Sequence, residues 1–386
     1  MLSTNPLAAT DTHSNRKPAL NHLKQLDGIR FLAVGLVLFD HWMAERVMLP
    51  LGPLGVTIFF VLSGFLIVRI LLSSKEKLSH EPNGGLGKYL KTFYIRRTIR
   101  IFPIYYITLL VMAALNEPGV REHFGWLALY ATNIYIAVNE TWIGTSDHLW
   151  SLAVEEQVYL FFPLLIFFVP RRFVFHTAVL MIIGSVALRY LLYRLHVSWT
   201  VQYVSMPTCL DSFGLGALMA FGWLYHRERF ERFFSNRWWL PISIVLFIVM
   251  MWYERQLWNG QQHHSIITDV WERLIASLLG FCLIGRAVVG FEGGMKWLLE
   301  NRVSQYLGQI SYGIYLFHNY VYNHYHTPPT HLTVRSWHWL AGQFPVIDGM
   351  YAAQFVYFSA LTIGLATVSW FLIEKPFNAL KDRFSY

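Results

Sequence analysis

Charge is scarce in this chain of 386 residues: Asp, Glu, Lys and Arg make up 14% of it, against 55% for apolar and aromatic types. That excludes a soluble domain, whose charged share is about a quarter, and leaves a polytopic membrane protein. Cysteine is almost missing. Cys209 and Cys282 fall in or beside apolar runs, so neither a disulfide framework nor a thiolate metal site is expected, and both read as packing residues. Internal repeats, low-complexity runs and long linkers are missing too, so residues 26–376 read as one membrane domain without a soluble appendage. Before it, residues 1–25 are polar and irregular, with Pro6 and Pro18 and no short hydrophobic region leading to a cleavage site. They read as a cytoplasmic tail and not a removable signal, and residues 377–386 read as a second tail. The net charge of +8 admits nucleic acid or an anionic ligand. In a membrane protein its first account is basic cytoplasmic loops, and no nucleic-acid partner is expected.

What is present is a series of apolar stretches. The first runs from Leu26 to about Leu49 and is followed by a tight turn at Pro50–Pro53 and by the run GVTIFFVLSGFLIVRILL. A polar loop from Ser74 to Arg100 holds Lys75, Lys77, Lys88, Lys91, Arg96, Arg97 and Arg100 around a Pro82–Gly85 turn, which fixes it inside. The third span is Ile101 to about Leu115. The apolar part of the next stretch, Trp126 to Val138, is too short to cross and stays uncounted. Further spans are expected at Leu149–Val169, Phe173–Leu192, Gln202–Tyr225, Trp238–Trp258, Val270–Val289, Gln305–Tyr325 and Tyr351–Ile373. The fold expected is therefore an all-α transmembrane bundle of about ten spans with both termini cytoplasmic. Its inner loops collect the arginines and lysines, as at Arg171 and Arg172 or at Arg227, Arg229, Arg232 and Arg237.

Ionisable residues inside such spans are expensive and are functional candidates by default. Arg30 and His41 stand eleven positions apart in the first span, which on a helix is about three turns and roughly 16 Å, so both look along one stripe with Val34, Val37 and Leu38. Asp40 points elsewhere, whereas Glu45, four residues after His41, could fix its tautomer. Glu155 shares a helix face with Ser151 and His148. A carboxylate there either pairs with an arginine of another span or orients His41 or a substrate. Arg97 and Arg100 are one turn apart at the inner end of the third span, with Arg96 a third guanidinium, while Arg69 reads as a snorkelling residue.

Several motifs occur in order. They are Leu26-Asp27-Gly28 with Arg30 and His41, Phe59 to Leu66 (FFVLSGFL), Arg97-x-x-Arg100-Ile101-Phe102-Pro103, and His148 to Leu152 (HLWSL) with Glu155 to Tyr159 (EEQVY). Ser311 to His318 (SYGIYLFH) and Glu374-Lys375-Pro376 close the series. Together they resemble acyltransferase family 3, the integral-membrane acyltransferases of surface glycans, over nearly the whole chain. The resemblance implies transfer of an acyl group, commonly acetyl, from cytoplasmic acyl-CoA to a hydroxyl of a carbohydrate or lipid-linked glycan, in the inner, plasma membrane. It implies His41 as catalytic base with Glu155 beside it, Arg30, Arg97 and Arg100 on the CoA phosphates, and His148, Ser151, Asp211 and His318 on the acceptor side. One departure is Cys209, where relatives often carry an arginine two residues before the aspartate matching Asp211, which leaves that aspartate's ionic partner open.

The chemistry agrees with these assignments. A sugar hydroxyl attacking a thioester needs a base, and imidazole, with a reference pKa of about 6.5, suits neutral pH. Guanidinium groups grip phosphate oxygens bidentately. Ser63, next to Gly64, suits close helix packing better than a covalent acyl-enzyme. His318, His324 and His326 are spaced by six and two, which does not gather three imidazoles on one helix side, so no metal is expected. Two other classes remain open. One is a transporter or flippase of an anionic or glycan solute, against which stands the lack of an internal repeat; the other is a membrane sensor without chemistry. Membrane lipids are partners in every reading, and the oligomeric state stays open.

Overall fold

The computed structural model describes residues 23–47, 49–82, 85–259 and 264–384, and they contain helices and turns with no strand. α1 (Lys24–Val47) opens with Asp27 in its first turn, where a carboxylate complements the helix dipole, and pairs it with Arg30 one turn on. α2 (Leu51–Leu78) follows. Its first N–H groups, which no helix can satisfy internally, lie at Leu51 and Gly52 beside the Asp40 carboxylate of α1, while the Leu51 N–H donates to the Leu49 carbonyl at 2.7 Å. That gives Asp40 a structural task and ties the top of α1 to the start of α2.

α2 is the axis of the molecule. Inside the protein lie 72% of its most apolar stretch but only 17% of that of α7 (Trp239–Asn259), a peripheral helix. Around α2 pack α1, α4 (Leu149–Phe168), α6 (Leu210–Tyr225) and α8 (Glu272–Val289). The closest approach is to α6. A Cβ on Gly64 would stand 2.5 Å from the carbonyl oxygen of Phe213, and one on Gly216 would strike the backbone of Val61. Small residues let the two backbones touch, as helices in a membrane require where water no longer drives association.

The basic loop is shorter than its composition suggests. α2 runs on to Leu78 and α3 (Leu86–Ala114) starts well before the apolar stretch, because Lys, Arg and Leu are good helix formers, so few residues separate the two helices. Arg97 and Arg100 therefore sit inside a 29-residue helix. Trp126–Val138 falls on two short helices, Phe124–Ala128 and Thr132–Asn139, neither long enough to cross. Beyond α5 (Arg171–Arg194), the stretch expected at Gln202–Tyr225 is broken at Ser205 and Pro207 before α6 begins. Likewise the stretch at Gln305–Tyr325 divides into α9 (Arg302–Gln309) and α10 (Ser311–Val321), which ends short of Tyr325. The last apolar helix is α11 (Tyr351–Ser369).

Among the described residues six helices are long and apolar enough to cross a membrane, or seven if the pair Ile267–Val289 and Gly293–Glu300, bent by 91°, counts as one. This is a multi-helix membrane bundle. The side chains of Glu45 and Trp258, most of the N-terminal tail, and Asn83 and Gly84 of the expected turn lie outside the described residues.

Candidate active site

The stripe on α1 leads to two different places. At one end Arg30 faces a vestibule of about 800 Å³ lined by Lys24, Arg30, Arg69, Arg97, Arg100, Arg302 and Lys381 and, among acids, by Asp27, Glu300 and Glu374. Above it, sharing Arg30, Arg97, Arg100 and Tyr312 as walls, is a narrower cavity of about 110 Å³ that reaches Ser63, Glu155, Ser151 and Tyr315. Arg97 lies over the Tyr159 ring at 4.9 Å, which holds its guanidinium at the junction.

Two expectations change here. Arg69 is no snorkelling residue: it turns into the vestibule, and its Nε is buried without a hydrogen-bond partner among the described residues. Arg96 points the other way, donating to the carbonyls of Lys381 and Phe384 at 2.8 and 2.6 Å, and so anchors the C-terminal segment. A helix places neighbours 100° apart, so Arg96 and Arg97 cannot share one task.

Glu155 is held by hydroxyl groups. Ser63 of α2 donates to it, and the Tyr159 hydroxyl, 3.2 Å from Ser63, completes the cluster. Among the described residues Glu155 therefore makes no direct contact with His41 or with an arginine, and it lines the narrow cavity instead.

The His41 end of the stripe holds imidazoles. His41 Nδ1 lies 2.8 Å from His318 Nε2 and 2.9 Å from Asn319 Oδ1. His318 is fully buried on α10, and its Nδ1 stands 2.6 Å from the carbonyl oxygen of Tyr315. His148, at the head of α4, meets the His318 ring nearly edge-on at 4.9 Å and places Nε2 3.1 Å from the carbonyl of Leu316. The Ser151 and Tyr315 hydroxyls, 2.6 Å apart, stand between this cluster and the narrow cavity. The fold thus gathers His41, His148, Ser151 and His318 from α1, α4 and α10. Among the described residues no three His, Cys, Asp or Glu side chains are placed to hold a metal ion.

Asp211 is not brought to them. It is fully buried at the start of α6, where its carboxylate receives Arg189 of α5 at 2.6 Å and the Ser212 N–H at 3.0 Å. The ionic partner left open by Cys209 is thus Arg189, and a second cation, Arg273, sits 2.7 Å from the Cys209 sulfur. Sequence reasoning passed over Asn319, which directly follows His318, and Tyr315, one turn before it; the only signal was their place in the SYGIYLFHN run.

Among known proteins, the chain is 28% identical to "Putative O-acetyltransferase SAR0937" of Staphylococcus aureus (strain MRSA252), over 95% of this chain and 60% of that one. It is 26% identical to "O-acetyltransferase OatA" of S. aureus (strain NCTC 8325 / PS 47), over 92% of this chain and 57% of the relative. It therefore spans about 60% of the length of the curated relatives it matches. No solved structure matches. The acyltransferase domain profile covers residues 23–374, nearly all of the described chain, and the protein belongs to that acyltransferase family.

Proposed function

We propose that this chain is a membrane O-acyltransferase that moves a short acyl group, acetyl first, from cytoplasmic acyl-CoA to a hydroxyl of a surface carbohydrate or lipid-linked glycan. In this reading it crosses the plasma membrane ten times, with both termini and the basic vestibule on the cytoplasmic side. One observation carries the proposal: a vestibule walled by arginines narrows to a small cavity that ends against the His41 cluster. CoA has that shape, with phosphates at one end, a thin arm and a thioester at the tip. Arg30, Arg69, Arg97 and Arg100 would grip the phosphates by charge-assisted hydrogen bonds. The arm would pass Tyr312, and the Ser151–Tyr315 pair must part for the thioester to meet His41. There His41 takes the proton of the acceptor hydroxyl as its oxygen attacks the thioester carbonyl, then returns it to the departing CoA sulfur.

A second reading rests on Ser63, whose hydroxyl donates to Glu155 inside the donor cavity. There Glu155 takes the serine proton as the serine oxygen attacks the thioester carbonyl and gives it to the departing CoA sulfur; in a second step it takes the acceptor hydroxyl's proton as that oxygen attacks the ester, and returns it to the released serine. One experiment separates the two. Purified protein is given radioactive acyl-CoA without acceptor, then with it. Direct transfer predicts no acid-stable label on the protein, and His41→Ala should bind acyl-CoA yet transfer about 10²–10⁴-fold more slowly, the usual share of a positioned base. Label that vanishes in Ser63→Ala would establish the second reading, and a fully active His41→Ala protein would remove His41 from the chemistry.

A further inference from the structure

We propose that His318 is a positioning residue that decides which ring nitrogen of His41 carries the proton, so that His41 Nε2 is the atom that accepts the acceptor's proton. This deepens the role given to His41 above and rests on it. The argument begins at Tyr315, whose carbonyl oxygen can only accept, so His318 Nδ1, 2.6 Å away, must carry hydrogen. The His318 ring has no exposed surface, and its neighbours are other neutral groups: the His41 and His148 rings and the Tyr315 ring. No carboxylate contacts it among the described residues, so a second proton would leave a bare cation among apolar helices, which is strongly unfavourable. His318 is therefore neutral. A neutral imidazole with hydrogen on Nδ1 has a lone pair on Nε2.

That lone pair faces His41 Nδ1 at 2.8 Å. Two lone pairs cannot hold each other at this distance, so His41 Nδ1 donates. Ring geometry agrees: centroids 4.9 Å apart with planes 19° from parallel put the two imidazoles edge to edge, as a linear N–H···N bond requires. Asn319 Oδ1 at 2.9 Å offers the same hydrogen a second acceptor. With its proton pinned at Nδ1, neutral His41 keeps its lone pair on Nε2, which makes no hydrogen bond within the described residues. The relay is Tyr315 carbonyl, His318, His41. It needs no carboxylate, which accounts for a base buried beside a histidine and an amide.

The relay is held from outside as well. The Tyr315 hydroxyl donates to the carbonyl of His148 at 3.1 Å, which ties this turn of α10 to the head of α4. His148 spends its own Nε2 hydrogen on the Leu316 carbonyl and packs its ring edge-on against His318.

The test is nitrogen NMR of the full chain in lipid nanodiscs with ¹⁵N-labelled histidine, the His41 signals being assigned by their loss in His41→Gln. The wild-type protein should show a protonated Nδ1 and a lone-pair Nε2 on His41. In His318→Ala the two tautomers should mix, and kcat should fall roughly tenfold with the KM for acyl-CoA unchanged, the scale of losing an orienting partner. His318→Gln, whose amide oxygen can accept from the same nitrogen, should restore most of both. Hydrogen on His41 Nε2 in the wild-type protein would overturn the relay, as would an unaltered tautomer and rate in His318→Ala. If either occurs while His41→Ala is inactive, the base survives and only its positioning is wrong; an active His41→Ala protein would instead remove the base itself.

Discussion

Two carboxylates inside the bundle, Asp211 fully buried and Glu155 partly so, show how the same group serves different ends. Asp211 on α6 is enclosed by Arg189, the Ser212 N–H and Ser185, and it lines neither the vestibule nor the narrow cavity. Glu155 on α4 has the Ser63 and Tyr159 hydroxyls around it and opens onto a cavity that also holds Arg97 and Arg100. The first is a closed account of charge inside the bundle. The second has acceptor capacity left over and space in front of it. A membrane carboxylate is thus read from its partners and from the cavity it faces, since burial alone does not tell frame from function.

The comparison predicts opposite profiles for the two. Asp211→Ala leaves Arg189 as an unpaired buried cation and should destabilise the fold by about 3–5 kcal/mol, measured as thermal unfolding in nanodiscs. Replacing both Asp211 and Arg189 by Leu and Met should recover most of that loss. Glu155→Gln keeps the hydroxyl contacts and should leave unfolding nearly unchanged; transfer falls about 10²-fold under the Ser63 reading, where Glu155 is the base, and stays near wild type under direct transfer. Equal destabilisation by both substitutions would erase the distinction.

The sequence carried what lies within single helices further than what lies between them. The Arg30–His41 stripe, the Arg97–Arg100 turn and the short Trp126–Val138 stretch follow from helical spacing and length, and the fold keeps each of them. What spacing could not supply is tertiary. Asp211 finds Arg189, and His41 finds His318 and Asn319 some 277 positions away, because separate helices pack together. Arg69 was misread for a related reason: hydropathy places it at the end of a span, but only the helices around it decide whether it reaches for water or for a cavity. Helix ends were blurred where lysine and arginine continue the helix beyond the apolar run, as in α2 and α3.

Arg97 and Arg100 sharpen the comparison from the other side, since they face the cavity of Glu155 without a direct ion pair to it. Each Arg→Ala substitution should weaken acyl-CoA binding by about 1.5–3 kcal/mol per lost charge-assisted contact, read by calorimetry on the purified protein. Dephospho-CoA, which lacks the ribose phosphate, should lose affinity in the wild-type protein and be less sensitive to whichever arginine holds that group. If neither substitution changes donor affinity, these cations serve the lipid interface and the vestibule is not a donor site.

The smallest effect is expected where a carboxylate's partner meets water, at His326. Asp147, one residue before His148, pairs with His326 at 2.7 Å, and this hydrogen bond raises the pKa of the half-buried His326 above its ordinary value. The sign follows from linkage: a histidine whose pKa is higher folded than unfolded adds stability fully below the unfolded value, about 6.5, and loses it as pH rises through the folded one. Solvent screens the pair, so its contribution should be no more than about 1 kcal/mol. Unfolding of the wild-type protein compared with His326→Gln should differ by that amount on the acid side of the window, and the difference should vanish on the alkaline side. If the pair proved as strong as Asp211 with Arg189, exposure would not govern what a carboxylate contributes here. If its strength were independent of pH, the bond would be an ordinary neutral one, and the ring of His326 would carry no charge in the folded protein.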